Sequence, residues 1–274
     1  MTINCKGQLI DLSVPKVMGI LNVTPDSFFD GGSYSNQKAV LDQVEKMLTE
    51  GATFIDVGAC SSKPNAALVT QSEELQRIVA VVQWIQKYFP EVILSIDTYR
   101  ASVAATCLDH GAAMINDIGA GHLDDGMLEV VAKYQVPYVM MHLRGTPQTM
   151  QQHTNYQDIV KEMVLYFAER IHKARSLGIS DLIVDPGFGF AKNLDQNYEV
   201  LQKMELFQTL EVPILVGFSR KSMIQKVLGV TAQEALNGTT VLNTLALTKG
   251  ACILRVHDVK AATECIKLYH QLNK

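Results

Sequence analysis

The sequence predicts an α/β fold, a single (β/α)8 (TIM) barrel. Short apolar runs recur along the 274 residues, with amphipathic stretches between them, and eight such units can be counted. Each unit has about 34 residues, close to the ~30 that a βαβ unit needs, and the total is close to the ~250 of an eight-fold barrel. The alternative is an open doubly wound sheet, which typically has GxGxxG after its first strand, where this chain has NVTPDSF. We therefore expect one domain over residues 1–274, with its core at about 16–272.

The apolar runs are predicted to be strands that are covered on both faces, because they are short and do not alternate with polar residues. They are KVMGIL (16–21), TFIDV (53–57), VILSI (92–96), AAMIN (112–116), PYVMM (137–141), LIVD (182–185), PILVG (213–217) and CILRV (252–256).

Helical periodicity fills the intervals between these runs. The four clearest stretches are 37–51, which ends at Gly51; 72–89, with Ser72 as its expected cap; 156–178; and 196–210.

Composition excludes several function classes. A net charge of −4 argues against a nucleic-acid or membrane-surface partner. No apolar run reaches the ~18 residues of a membrane span, and the N-terminus lacks the pattern of a signal peptide. The five cysteines are scattered, without CxxC or a Cys/His cluster, which predicts free thiols, a cytoplasmic location and no zinc site.

Almost every predicted strand ends in a polar or charged side chain, at the end of the barrel where active sites lie. These residues are Asn22, Asp56, Asp97, Asn116, His142, Asp185, Ser219 to Lys221, and Arg255 with His257. Helix capping is the alternative explanation for Asp and Asn. It does not account for Lys221, Arg255 and His257, because caps favour Ser, Thr, Asp and Asn.

These residues separate by charge into two groups. Asp97, Asn116 and Asp185 suit a flat heterocycle with several N–H donors. Arg255, His257 and the Asn22 amide suit an anion such as a phosphate.

The segment GFSRKSM (217–223) predicts a helix that starts directly after a strand. We expect Ser219 to cap this helix and the backbone N–H groups of Arg220, Lys221 and Ser222 to hold a second anion. The alternative for Arg220 and Lys221 is solvated surface charge.

Eight segments, in this order, resemble dihydropteroate synthase. The second of them is GATFIDVGACSSKPNA, in which Cys60, Lys63 and Asn65 lie outside the resemblance. The others are MGILNVTPDSFFDGG, SIDTYRASVA, GAAMINDIGAG, VMMHLRGTPQTMQ, IVDPGFGFAKN, GFSRKSM and LRVHDV. The resemblance covers about residues 17 to 260. It implies a (β/α)8 barrel and a homodimer. The implied transferase condenses 6-hydroxymethyl-7,8-dihydropterin pyrophosphate with p-aminobenzoate, in folate synthesis, with sulfonamide drugs competing for the p-aminobenzoate site.

The resemblance also implies roles for individual residues. The pterin would be bound by Asp97, Asn116, Asp185, Lys221, Met141 and Phe190. The pyrophosphate would be bound by Asn22, Lys63, Arg255 and His257, with Mg2+ on Asn22. The p-aminobenzoate would be bound by Ser62, Pro64, Phe190, Lys221 and Ser222. The catalytic residues would be Asp30, Asn22, Lys221, Arg255 and His257.

Two loops would close over the pyrophosphate, at about 24–35 and 58–67. The implied route is dissociative, through a cationic pterin methylene, and needs no general base. Phe28 and Phe29 would then exclude water and Asp30 would stabilise the cation. The alternative is that both phenylalanines pack on the barrel rim.

The second loop departs from the family pattern ESTRPGA and reads CSSKPNA (60–66). Lys63 keeps the charge of the family's arginine and loses its bidentate fork, and Ser62 lacks the threonine methyl group. We expect altered substrate affinity or sulfonamide response, with neutral variation as the alternative. Cys60 is interpreted as incidental, because the implied reaction has no covalent step.

Two other functions stay open: a methyltetrahydrofolate-corrinoid methyltransferase on the same barrel, and a pterin-binding barrel with impaired catalysis. For the dimer, the segment 234–251 has enough apolar and small residues to form an interface, although a helix packed on its own barrel would look similar.

Overall fold

Parallel strands close into a barrel in the computed structural model, which describes residues 1–23, 34–60 and 69–273. The barrel strands are β3 (Lys16–Asn22), β4 (Phe54–Gly58), β5 (Ile93–Asp97), β6 (Met114–Asp117), β7 (Tyr138–Met141), β8 (Leu182–Asp185), β9 (Ile214–Val216) and β10 (Ala251–Val256). They are bonded in chain order, and β10 pairs with β3 to close the barrel. This confirms the predicted (β/α)8 fold, and each strand coincides with one of the apolar runs.

Several predicted site residues lie outside the described residues. They are Asp30, Ser62, Lys63 and Pro64, together with Phe28 and Phe29.

An antiparallel hairpin that the sequence analysis did not predict precedes the barrel. It consists of β1 (Thr2–Cys5) and β2 (Gln8–Asp11), joined by Lys6 and Gly7, which both have positive φ. Its buried residues Ile3 and Ile10 pack in one cluster with inward residues of the barrel strands. The hairpin therefore covers the amino end of the barrel.

The barrel interior has an apolar layer at the amino ends of the strands and a polar layer at their carboxyl ends. The apolar layer is formed by Met18, Phe54, Ile93, Met114, Val139, Ile183, Leu215 and Ile253. Two residues further along the strands come Ile20, Asp56, Ser95, Asn116, Met141, Asp185, Gly217 and Arg255, of which five are polar or charged. Because alternate side chains of a strand point to the same face, this second set also faces the interior.

Helices cover the outside of the barrel. They are α1 (Tyr34–Thr49), α2 (Gln71–Tyr88), α3 (Ala101–Asp109), α4 (Met127–Tyr134), α5 (Ile159–Ser176), α6 (Leu194–Gln202), α7 (Ser222–Leu228), α8 (Leu236–Thr248) and α9 (Val259–Leu272). The outward strand residues, such as Val57 and Leu94, pack with them in one large core. Within the described ranges, no helix is both long and apolar enough to cross a membrane.

Two helix predictions were wrong in detail. Thr70, not Ser72, caps α2: its hydroxyl accepts the N–H of Glu73 (3.3 Å), whose carboxylate accepts the N–H of Thr70 (2.9 Å). The stretch 196–210 is not one helix, because α6 ends before Lys203 and a 3-10 helix follows at Met204–Leu210.

Candidate active site

A hydrogen-bonded network joins four strands at the carboxyl end of the barrel. Arg255 on β10 donates from Nε to Asp56 Oδ2 and from Nη2 to Asp97 Oδ2, both at 2.6 Å. Asn116 on β6 donates from Nδ2 to the same Asp56 oxygen at 3.0 Å. Asp56 is fully buried on β4 and received no role in the sequence analysis. Its position at a strand end was the only signal for it.

Burial shapes the ionisation of this network. It raises the pKa of Asp97 to about 7; the charge of Arg255 opposes this shift and that of Asp56 adds to it. Burial also lowers the pKa of Arg255, but the carboxylates of Asp56 and Asp97 outweigh it and leave that pKa above its ordinary value. Arg255 is therefore a permanent cation between two carboxyl groups, one of which titrates near neutral pH.

The loop between β8 and α6 supplies a second set of contacts. Asp185 Oδ1 accepts the N–H of Gly187 at 2.7 Å. Gly187 has φ +66°, and a Cβ there would lie 2.6 Å from the carbonyl oxygen of His142, so the position requires glycine. Lys221 Nζ donates to the carbonyl of Phe188 at 2.5 Å and lies 4.9 Å from the centroid of the Phe190 ring. Burial lowers the pKa of Lys221 to about 8.

Lys192 is a buried lysine that the sequence analysis missed. Its Nζ donates to the carbonyls of Gly187 and Phe190, both at 3.0 Å, and lies 3.1 Å from His142 Nδ1. Burial lowers its pKa to about 7 and lowers that of His142 well below its ordinary value, so His142 is neutral. Lys192 thus fixes the loop that carries Phe190. The only signal for it was a lysine at the end of the apolar, glycine-rich segment GFGFAK.

The loops after β9 and β10 are bonded to each other. Ser219 Oγ lies 2.9 Å from His257 Nδ1 and accepts the N–H of His257 at 3.1 Å. Arg220 forms a bidentate pair with Asp258, from Nε at 3.0 Å and from Nη2 at 2.6 Å. Arg220 is therefore not a solvated surface charge. Its φ of +57° is a strained conformation for a residue other than glycine, and these contacts hold it.

The expected anion site at the start of α7 needs a correction. Ser219 does not cap the helix; Lys221 is the N-cap residue and makes no side-chain cap bond. The N–H groups of Arg220 and Lys221 already donate, to Thr239 Oγ1 (3.1 Å) and to the carbonyl of Phe218 (2.9 Å). They cannot hold the second anion in this conformation.

The predicted site residues divide by depth. Asn116, Asp185 and Met141 are buried at the floor, and Met141 packs in an apolar cluster with Phe190. Asp97, Lys221, Phe190 and Arg255 are partly exposed. Asn22, Ser222 and His257 are exposed at the rim. The arrangement can accept N–H donors deep in the barrel and present cations nearer to solvent.

Arg100 contacts Cys60 and Val69, the described residues on either side of the second loop. Its guanidinium donates to Glu74 and to the carbonyl of Val69 (2.7 Å), and Nη1 lies 3.8 Å from Cys60 Sγ. Burial raises the pKa of Cys60 to about 12. The thiol therefore stays protonated at neutral pH, in agreement with its interpretation as incidental.

The described residues contain no group of three or more His, Cys, Asp or Glu side chains that could hold a metal ion. Asn22 lies at the end of β3, where it is aligned with Gly58 of β4. A metal ion at this rim would need water or substrate oxygens as its other ligands.

Comparisons with known proteins identify the family. The profile of the family described as "Pterin binding enzyme" matches residues 18–257. The dihydropteroate synthase of Escherichia coli is 43% identical over 270 residues, which cover 98% of this chain and 95% of that relative.

Two solved structures give the same result. The Yersinia pestis dihydropteroate synthase in a sulfonamide drug complex has a TM-score of 0.93 and 41% identity, over 100% of this chain and 99% of that chain. The Xanthomonas albilineans enzyme with 4-aminobenzoic acid has a TM-score of 0.91 and 35% identity, over 99% and 98%. The chain belongs to the pterin-binding enzymes and, within them, to the dihydropteroate synthase family.

Proposed function

We propose that this chain condenses 6-hydroxymethyl-7,8-dihydropterin pyrophosphate with p-aminobenzoate to give 7,8-dihydropteroate and pyrophosphate. The observation that carries the proposal is the combination of buried acceptors with more exposed cations at the carboxyl end of the barrel. The acceptors Asn116 and Asp185 are buried, and the cations Lys221 and Arg255 are partly exposed. A heterocycle with N–H donors and an anionic leaving group fits this combination.

In this proposal the pterin lies in the interior of the barrel. Asp185, Asn116 and Asp97 accept its N–H groups, and Lys221 donates to its carbonyl or to a ring nitrogen. Met141 and Phe190 supply the apolar contacts, which their shared cluster supports. The ring is then held by paired polar groups in a site that excludes water.

The pyrophosphate lies at the rim, on Asn22, Arg255, His257 and Lys63. Among the described residues, Arg255 Nη1 has no hydrogen-bond partner and is available for a phosphate oxygen. The exposed amide of Asn22 fits Mg2+, which keeps several waters and prefers substrate phosphates to a protein cage. When bound, Mg2+ would neutralise part of the charge on the leaving group.

The p-aminobenzoate would be bound by Ser62, Pro64, Phe190, Lys221 and Ser222. The Xanthomonas albilineans relative with 4-aminobenzoic acid supports this substrate class. Because the N–H groups of Arg220 and Lys221 are occupied, the carboxylate would be held by the Ser222 hydroxyl and the Lys221 ammonium.

The proposed route is dissociative. The C–O bond to pyrophosphate breaks first, and the pyrophosphate leaves with the bonding electron pair. The arylamine nitrogen then attacks the cationic methylene carbon, forms the C–N bond and loses one proton to solvent. Asp30 is the proposed stabiliser of the cation. No general base is required, because an arylamine is nucleophilic at neutral pH.

We also propose a homodimer through α8, where Leu236, Val241 and Leu245 are exposed apolar residues. A cytoplasmic location is supported by the five cysteines, all of which are described and free.

The test is pyrophosphate release from the dihydropterin pyrophosphate, with and without p-aminobenzoate, at fixed Mg2+. Release that depends on p-aminobenzoate is the expected result. Binding of the pterin without release would support the alternative of a catalytically impaired barrel. Methyl transfer from methyltetrahydrofolate to a corrinoid, without pyrophosphate release, would support the methyltransferase.

A further inference from the structure

Asp56 is a buried carboxylate whose hydrogen bonds run only to residues of the site. Its side chain is 0% exposed, and Oδ2 accepts from Arg255 Nε at 2.6 Å and from Asn116 Nδ2 at 3.0 Å. Among the described residues, Oδ1 has no hydrogen-bond partner, and neither has Oγ of Ser95, which is paired with Asp56 on the neighbouring strand. In the described part of the chain, the hydrogen bonds of the Asp56 carboxylate therefore run only to Arg255 and Asn116, two of the predicted site residues.

The chemistry of this contact fixes the orientation of the Asn116 amide. Oδ2 of Asp56 accepts from the Nε–H of Arg255, a group that can only donate, and the same oxygen meets the Asn116 amide. An amide has one donor end and one acceptor end, so Asn116 must turn its NH2 group toward Asp56. The carbonyl oxygen of Asn116 is thereby directed away from Asp56.

We propose that Asp56 sets the hydrogen-bond polarity of the pocket, by holding Asn116 so that its carbonyl oxygen faces the bound ring. The proposal rests on the proposed function, because the ring is the pterin assigned there. Asn116 then acts as a third acceptor beside Asp97 and Asp185. The group that meets the Asn116 oxygen would be the exocyclic amino group, because N1 of the pterin is itself an acceptor. A lumazine has a carbonyl at the amino position and an N–H at N1, so it would set an oxygen against the Asn116 oxygen and bind less well. Asp56 is thus a positioning residue for specificity.

The experiment compares the binding of 6-hydroxymethylpterin with that of 6-hydroxymethyllumazine, which carries a carbonyl in place of the exocyclic amino group and an N–H at N1. Calorimetry gives the ratio of the two Kd values for wild type and variants. The Thr hydroxyl in Asp56→Thr can accept from Arg255 and donate to Asn116, so the amide is free to turn. We expect the preference for the pterin to fall by at least about tenfold.

Two further variants make the comparison specific. In Asp56→Asn, the N–H of Arg255 Nε orients the new amide so that its oxygen takes the place of Asp56 Oδ2. That oxygen still accepts from Asn116, so most of the preference for the pterin should be retained. Ser95→Ala is the matched control, because it removes a buried hydroxyl from the adjacent strand without touching Asn116 or Arg255. It should keep the wild-type ratio.

The inference is overturned if Asp56→Thr weakens both ligands equally, which would indicate a purely structural role. If wild type bound neither ring, the proposed function would fail and the inference with it. Should Asp56→Thr not fold, NMR of the pterin complex of wild type decides. Asn116 NH2 protons that are protected from exchange and show no contact with the ring support the inference, whereas a direct contact overturns it.

Discussion

Lys221 and Asp97 are opposite charges at the barrel mouth, and burial shifts the pKa of each toward neutrality. The pKa of Lys221 falls to about 8 and that of Asp97 rises to about 7. In the proposed function the lysine must be protonated to donate and the aspartate ionised to accept. Activity is therefore lost as pH falls through the pKa of Asp97, and also as pH rises through that of Lys221.

The first prediction is a narrow bell-shaped pH profile. The kcat/KM for dihydropterin pyrophosphate should fall below about pH 7 and above about pH 8, since this constant reports the free enzyme. In Lys221→Arg the alkaline limb should disappear from the measurable range, because guanidinium keeps its proton to about pH 12, while the acid limb stays. An alkaline limb that is unchanged in Lys221→Arg would assign it to another group.

Lys63 stands where the family pattern of the second loop has an arginine. An arginine offers two parallel N–H donors to a phosphate and a lysine does not. We predict that Lys63→Arg lowers KM for dihydropterin pyrophosphate by about threefold to tenfold with little change in kcat, as measured by pyrophosphate release. Lys46→Arg, on the exposed face of α1, is the control. A KM within about twofold of wild type would instead indicate neutral variation.

At the scale of elements, the bonded loops after β9 and β10 hold Lys221 in place. Arg220, directly before Lys221, has a left-handed backbone conformation, which is strained for a residue other than glycine. Its contact with Asp258 offsets that strain. We predict that Arg220→Ala and Asp258→Ala each lower kcat/KM by at least about tenfold, and that the double variant is no worse than either single one. Lys226→Ala, exposed on α7, should have little effect. Additive losses would show that the two residues act independently.

The start of α2 offers a prediction about stability alone. Thr70 and Glu73 form a reciprocal capping box, whereas the nearby Ser72 does not cap the helix. Thr70→Ala should lower the free energy of unfolding by about 1 kcal/mol in urea titrations, and Ser72→Ala by less than about 0.5 kcal/mol. Equal losses in the two variants would contradict the assignment of the cap.

At the scale of the whole molecule, the proposed dimer depends on the outer face of α8. Val241 is 49% exposed there, between Leu236 and Leu245. We predict that Val241→Asp shifts sedimentation equilibrium from dimer to monomer, because a charge would be buried at the interface. Leu165→Asp, at a 60% exposed position on α5, should leave the dimer intact. Dissociation by both variants, or by neither, would contradict an interface at α8.

The barrel could be predicted because its strands are buried on both faces, so that each appears as an apolar run such as LIVD at β8. The hairpin β1–β2 was missed because polar residues interrupt both of its strands, TINC and QLID, so neither appears as an apolar run. The cap of α2 was misassigned because Thr70 and Ser72 are both good capping residues, and only backbone geometry distinguishes them.

The candidate site was predictable in part for a similar reason. Strand ends such as Asn116 and Asp185 were found because parallel strands bring their carboxyl ends to the same end of the barrel. The role of Lys192 could not be predicted, because a lone lysine in a glycine-rich segment does not show where its ammonium group lies.

The sequence by itself determined which segments are strands and which polar or charged residues end them. These follow from apolar runs that are buried on both faces and from the residue types that come after them. Only the tertiary structure decided which of these groups bond to each other. Arg255 meets Asp56 across a separation of 199 residues, and Arg220 meets Asp258 across 38. Such pairs depend on barrel closure and on side-chain reach, which no local pattern encodes.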